Sequence, residues 1–251
     1  MTTTVARKPM TDFVQLWVYL ASTPLFGLTA TLVVYVVAQS FYARIGQAPW
    51  ANPVLWSVIT LAAALTLTNT PYPAYFSGAQ FIHFLLGPAV VAMAVPLWRR
   101  RMALRVRWAG FLLAALAGGF AATASAVGLA WSLGLPTDVI LSLAPKSITA
   151  PVAMGVAEKI GGIPALAAVF AVITGMVGAL SGKYLFDALG IGTDKVGWMA
   201  RGFALGTAAH GIGAARALQV NPDAGAWAAL ALGLQVVMAS LLIPLAVRLW
   251  G

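Results

Sequence analysis

Cysteine is absent from the 251-residue chain, which removes disulfides, thiolate nucleophiles and thiolate metal ligands and leaves the redox compartment unreadable. Histidine occurs only at His83 and His210, with no metal-ligand spacing between them. Glu158 is the single glutamate and the five aspartates are scattered, so a paired-carboxylate acid/base site would have to be assembled from distant segments. The nearest approach to a phosphate loop runs from Gly178 to Lys183; it is one residue short between its glycines and lacks the following Ser or Thr. With so few catalytic groups, neither an enzyme nor a metal or cofactor site is expected.

Charge is scarce as well. Charged residues make up 8% of the chain and hydrophobic residues 61%, where a soluble domain carries about 25% charged residues. The apolar residues fall into repeated runs of about 20, the length a helix needs to cross about 30 Å of hydrocarbon. Eight such runs cover 13–38, 53–68, 79–98, 108–131, 138–157, 163–186, 196–218 and 224–250, separated by loops rich in Gly, Pro and Asn. The expected fold class is an all-α polytopic membrane protein of about seven to eight transmembrane or re-entrant helices. A polar tail over 1–12 precedes a membrane domain over 13–251. The first run is too long for a signal-peptide core and lacks a small-residue cleavage site.

Fifteen Lys and Arg against six Asp and Glu give a net charge of +9, and eight of the fifteen fall at Arg7, Lys8, Arg44, Arg99, Arg100, Arg101, Arg105 and Arg107. That clustering reads as membrane orientation and contact with anionic lipid, and it excludes a nucleic-acid binder, which needs a basic face on a soluble module. The arginines between 99 and 107 are expected on the cytoplasmic side. If the first three runs all cross, the N-terminus is then outside, against the weak pull of Arg7 and Lys8. A re-entrant segment among the three removes the conflict.

Two runs are interrupted. One contains Gly87-Pro88, and another contains Pro145-Lys146-Ser147-Ile148-Thr149-Ala150-Pro151. Proline removes a backbone donor and disfavours helix in the residue before it, so both stretches are expected to break. Residues 88–97 resemble 151–160, and Gly134-Leu-Pro-Thr-Asp138 resembles Gly190-Ile-Gly-Thr-Asp194, which points to an internal repeat. Paired broken segments are the usual sequence pointer to the substrate site of a secondary transporter.

Lys146 lies eight residues after Asp138 and twelve before Glu158, near mid-membrane, where a lysine costs about 2.5–3.5 kcal/mol on insertion scales. An anion, a carboxylate partner or a wet cavity would sustain it; snorkelling to an interface and a structural ion pair are the competing readings. With a half-helix starting at Pro151 and the hydroxyls of Ser147 and Thr149, it outlines a pocket for a small carboxylate. In the seventh run, Gly202, Gly206 and Gly213 form a packing stripe, and Thr207 and His210 share a helical face. His210 is read either as a proton-handling or substrate-bonding residue or as a packing histidine. His83 reads as structural. Arg201 and Arg216 read as snorkelling ends, Glu158-Lys159 as a solvated pair, and Met93, Met154, Met176, Met199 and Met238 as packing. Tyr72 and Tyr75 read as interfacial aromatics.

These residues resemble the LrgB/CidB family of bacterial membrane proteins, to which the plastid glycolate/glycerate transporters are distantly related. The matching stretches are Thr23-Pro-Leu-Phe-Gly27, Asn52-Pro-Val-Leu55, Tyr72-x-x-Tyr75-x-x-Gly78 and 86–97 around Gly87-Pro88, followed by 145–154 around Pro-Lys-Ser, 161–170, and 201–217 around Gly206-Thr-x-x-x-Gly-Ile-Gly213 with His210 inside it. The resemblance runs from about residue 20 to the C-terminus. His83, Ala150 and Gly155 depart from the family pattern, which bears on selectivity rather than fold. The resemblance implies two functions. One is a carrier for small monocarboxylates such as pyruvate, lactate, glycolate or glycerate, with Lys146, Ser147, Thr149, Pro151, Thr207, His210, Gly87 and Pro88 as its site and proton coupling through His210. The other is a holin-like or antiholin-like modulator of murein hydrolase activity and autolysis. On either reading the chain is expected in the cell inner membrane, multi-pass, with a small LrgA/CidA-like membrane partner, and is compatible with a homo-oligomer.

Overall fold

The computed structural model describes residues 24–92, 95, 98 and 101–250. The expected tail over 1–12, the start of the first apolar run, Met93, Arg99 and Arg100 lie outside the described residues. Among those described, the secondary structure is nine α-helices and one 3-10 turn, in two compact units that meet in sequence at Val91 and Ala92.

The first unit contains α1 (Pro24–Arg44), the 3-10 turn Pro49–Ala51, α2 (Pro53–Leu67) and α3 (Tyr72–Ala92). Asn52 starts α2 by accepting from the Val54 and Leu55 amides at 2.9 and 3.2 Å, with Pro53 at the first helical position. Helix α1 lies close against α3 where Gly27 meets the Tyr75 carbonyl, and the Thr31 hydroxyl pairs with the Tyr75 phenol at 2.7 Å. Tyr75 is thus tied into the unit, whereas Tyr72 is exposed as an interfacial aromatic is.

The expected break at Gly87-Pro88 does not occur. Helix α3 runs through both residues, with Pro88 inside it and exposed. A proline removes one helical hydrogen bond, and a membrane helix with intact bonds on either side tolerates the loss.

The second unit contains α4 (Arg101–Ser132), α5 (Thr137–Leu143), α6 (Ala150–Ile160), α7 (Pro164–Ala188), α8 (Lys195–Val220) and α9 (Pro222–Trp250). Long, strongly apolar spans are Leu25–Arg44 in the first unit and Trp108–Ser132, Pro164–Ala188 and Pro222–Leu249 in the second. These four, counted among the described residues, are fewer than the seven to eight runs read from hydropathy. Two of those runs, 138–157 and 196–218, fold back on themselves.

The first reversal is fixed by a hydrogen bond. Ile163 N donates to Ser142 Oγ at 2.7 Å, and Gly162 lies against the Ser142 amide, although 21 residues of straight helix would separate the two positions by about 31 Å. The chain therefore enters along α5, turns through 144–149, and returns along α6.

The second reversal lies inside α8, at Ala209 (φ −118°, ψ 15°) and His210 (φ 40°, ψ −134°). Straight helix would place Arg201 and Arg216 about 22 Å apart, yet both line one cavity of about 210 Å³. Gly202 meets Ala224 while Gly206 meets Ala228, so the first arm of α8 runs parallel to α9. That direction requires the second arm, from Gly211 onward, to carry the chain back.

Small residues hold this unit together. Ala115, Ala153, Ala157, Ala167, Ala171, Ala209, Ala228 and Ala231 have no exposed surface, while Val169, Ile173 and Val177 of α7 face outward. Lipid is as apolar as leucine, so burial of large side chains gives helices little reason to associate there. Close backbone approach between small residues supplies the van der Waals contact instead. Met199 and Met238 pack against the Phe111–Trp227 cluster, as expected of packing methionines, whereas Met154 is exposed.

Candidate functional site

The site is built where the two reversals meet. Leu143 ends α5, and 144–149 forms turns in which the Lys146 and Ile148 amides bond back to the Leu143 and Pro145 carbonyls at 3.1 and 3.2 Å. The unwinding covers 144–149, from one residue before Pro145 to two before Pro151, close to the stretch the proline spacing predicts. Thr123 of α4 donates to the Ala144 carbonyl at 3.2 Å, satisfying one acceptor freed by the break.

Lys146 is half-buried on this turn. Its Nζ donates to Ser147 Oγ at 3.3 Å, and among the described residues it has no carboxylate within ion-pair distance. Ser147 is buried, and Thr149 sits half-buried at the cap of α6 without a side-chain capping bond, its carbonyl accepting from Val152 and Ala153. Pro151 occupies the first turn and is exposed; its ring fixes the helix start.

His210 comes from the opposite direction. It is 3% exposed, with Nε2 at 2.7 Å from the Ala171 carbonyl and its ring against Gly175. Gly175 is eleven residues from one end of α7 and thirteen from the other, about 16 and 20 Å along the helix. The tip of the second reversal therefore lies midway along α7. Beyond it, a Cβ built on Gly211 would lie 3.9 Å from Thr149 Cγ2, and Lys146 is within electrostatic range of His210. The starts of two helical arms, α6 and the return arm of α8, thus face each other beside Lys146. Each helix start carries the positive end of a dipole, so the arrangement suits an anion.

Of the residues singled out by sequence, Lys146, Ser147, Thr149 and His210 are gathered at these tips. Thr207 is not on their side. The expectation that Thr207 and His210 share a helical face fails because the backbone turns over at His210. Thr207 is buried against Gly118 of α4, and His210 points to α7. Gly87 and Pro88 belong to α3, in the first unit. Residues 88–92 continue α3, whereas 151–160 build the return arm α6.

Arg201 and Arg216 are buried at 7% exposure each and do not snorkel. Arg201 binds Asp187 Oδ1 at 2.7 Å and the Ile191 and Gly192 carbonyls, and it lies over Phe186 and Trp198, locking the loop that joins α7 to α8. Glu158 and Lys159 are exposed as expected. Sequence reasoning missed Gln235, 3% exposed and donating through Nε2 to the Ala115 carbonyl, which ties α9 to α4. An isolated glutamine eleven residues into the apolar run 224–250 was the available signal.

Broken helices meeting inside a bundle of long apolar spans define an all-α, polytopic membrane protein with a polar centre. The chain belongs to the LrgB-like family, which it matches over residues 31–249. It is 34% identical over 212 residues to YwbG of Bacillus subtilis (strain 168), described as an uncharacterized protein, covering 84% of this chain and 92% of that one. It is 33% identical to YxaC of the same organism, covering 88% and 94%. With the holin-like protein CidB of Staphylococcus aureus (strain Mu50) it shares 28% identity over 242 residues, covering 96% and 100%. No solved structure matches the chain.

Proposed function

We propose that this chain is a carrier for small monocarboxylates of the pyruvate, lactate, glycolate and glycerate class. Half-buried Lys146, with no carboxylate partner among the described residues, carries the reading. An ammonium at the meeting point of two helix starts is stabilised by a substrate carboxylate, with Ser147 and Thr149 donating hydrogen bonds and the positive end of the α6 dipole adding charge complementarity. His210 is the group available to couple protons. The role proposed for this set is binding and passage of the acid.

The name of the staphylococcal relatives, holin-like protein CidB, favours a second reading: a holin-like or antiholin-like membrane protein that modulates murein hydrolase activity and autolysis. On both readings the protein acts in the cell inner membrane, beside a small LrgA/CidA-like partner and with homo-oligomers allowed. Flux through reconstituted liposomes separates them. Saturable uptake of labelled glycolate or pyruvate, competed by the unlabelled acid and tested with and without a pH gradient, supports the carrier. Unselective release of trapped dye supports the hole.

A further inference from the structure

Two loops in the second unit are built alike. Helix α4 ends with Gly134 at φ 69°, the Gly134 amide on the Trp131 carbonyl at 3.0 Å and the Leu135 amide on the Ala130 carbonyl at 3.1 Å. Helix α7 ends with Gly190 at φ 67°, the Gly190 amide on the Asp187 carbonyl at 3.1 Å and the Ile191 amide on the Phe186 carbonyl at 2.9 Å. Both are glycine-terminated caps with the same bond pattern, and each is followed by Thr-Asp at the entry to a reversing hairpin. The order long span, glycine cap, Thr-Asp, hairpin thus occurs twice, over 101–160 and 164–220.

The directions are opposed. Hairpin 137–160 begins where α4 ends and returns to where α7 begins. Helix α7 then crosses, and hairpin 195–220 begins and ends at its other end. The packing agrees: α6 and the 144–148 turn cluster with Ala167 and Ala171 in the first part of α7, whereas Gly178 and Gly182 in its later part meet Ala209 and Leu205. The two tips approach at Thr149 and Gly211.

We infer that residues 101–160 and 164–220 are an inverted repeat whose two hairpins enter the membrane from opposite faces and serve as two separate gates to the centre at Lys146, Thr149 and Gly211. The inference rests on the carrier reading for its purpose but on packing for its geometry. Opening the first hairpin exposes the centre to the side bearing 133–137, and opening the second exposes it to the side bearing 189–194. A two-sided barrier with one shared site is what moving a solute without a continuous hole requires.

The lack of native cysteine makes a direct test possible, with single cysteines placed in the full chain and a membrane-impermeant maleimide added to right-side-out or inverted vesicles that retain trapped calcein. Leu135→Cys and Ile163→Cys are expected to label from one face, and Val196→Cys and Val220→Cys from the other. Straight-through segments would split either pair, and that result overturns the inference, as does labelling of all four from one face. At the centre, Thr149→Cys and, as a second reporter, Gly211→Cys are expected to label from both faces without calcein release. Loss of labelling from one or both faces, or release of the dye, overturns the two gates. Two-sided labelling of the cysteine variants, with vesicles of the unsubstituted chain that take up no monocarboxylate, removes the substrate reading and leaves the gates. Saturable uptake with a centre reached from one face only does the reverse.

Discussion

The two hairpins reverse the chain by different means. The first uses a six-residue unwound stretch, 144–149, leaves Lys146 half-buried, and has the freed Ala144 carbonyl satisfied by Thr123 from outside the turn. The second turns at two residues, places a histidine at φ 40°, and presses the tip into glycines of α7. A non-glycine residue in that region stores on the order of 1–3 kcal/mol of strain, held by its surroundings. The loose turn offers chemistry to a ligand, while the tight one depends on packing. Their stabilities should therefore respond to different substitutions.

The largest effect is expected at the tight hairpin's seams. Gly206→Val places a Cβ 2.1 Å from the Ala228 backbone oxygen, where neither helix can yield. Overpacking of a fitted core already costs about 1–3 kcal/mol, so the variant should lose most folded protein, read by gel-filtration yield and thermal unfolding in detergent. The loose hairpin should behave oppositely: Lys146→Ala should abolish monocarboxylate uptake in liposomes while leaving folded yield unchanged. Unchanged uptake would falsify the role given to Lys146.

A smaller effect separates the two reversals by their hydrogen bonds. Ser142→Ala removes the acceptor of the Ile163 amide and should lower stability by about 1 kcal/mol. The smallest and most discriminating comparison is at the second tip. His210→Ala loses the Ala171 contact and keeps the strain; His210→Gly loses the same contact but relieves the backbone. The glycine variant should be more stable than the alanine variant by about 1 kcal/mol, measured as the difference between their unfolding midpoints. Equal stabilities would mean that the backbone at 210 is not under strain.

Much of the first hairpin could be read from residue order. Pro145 and Pro151 act locally on their own amides and on the preceding residues, so the stretch between them unwinds wherever it lies, and Lys146 goes with it. Gly87-Pro88 looked equally disruptive, yet α3 continues through it, because one proline removes only one bond and leaves a helix that the surrounding residues can complete. Arg201 shows another kind of gap. As a cation near the end of an apolar run it resembles a snorkelling residue, and only the fold brings Asp187 and the Ile191 carbonyl to it.

Composition and proline placement alone determined that the chain lives in a membrane and that it breaks around Lys146, since hydropathy and backbone sterics act over a few neighbouring residues. Tertiary structure alone decided the reversal at His210. A histidine with a left-handed φ has no local preference to announce it. The turn is held by the Ala171 carbonyl, the space over Gly175 and the parallel seam of Gly202 and Gly206 on α9, contacts between residues far apart in the sequence.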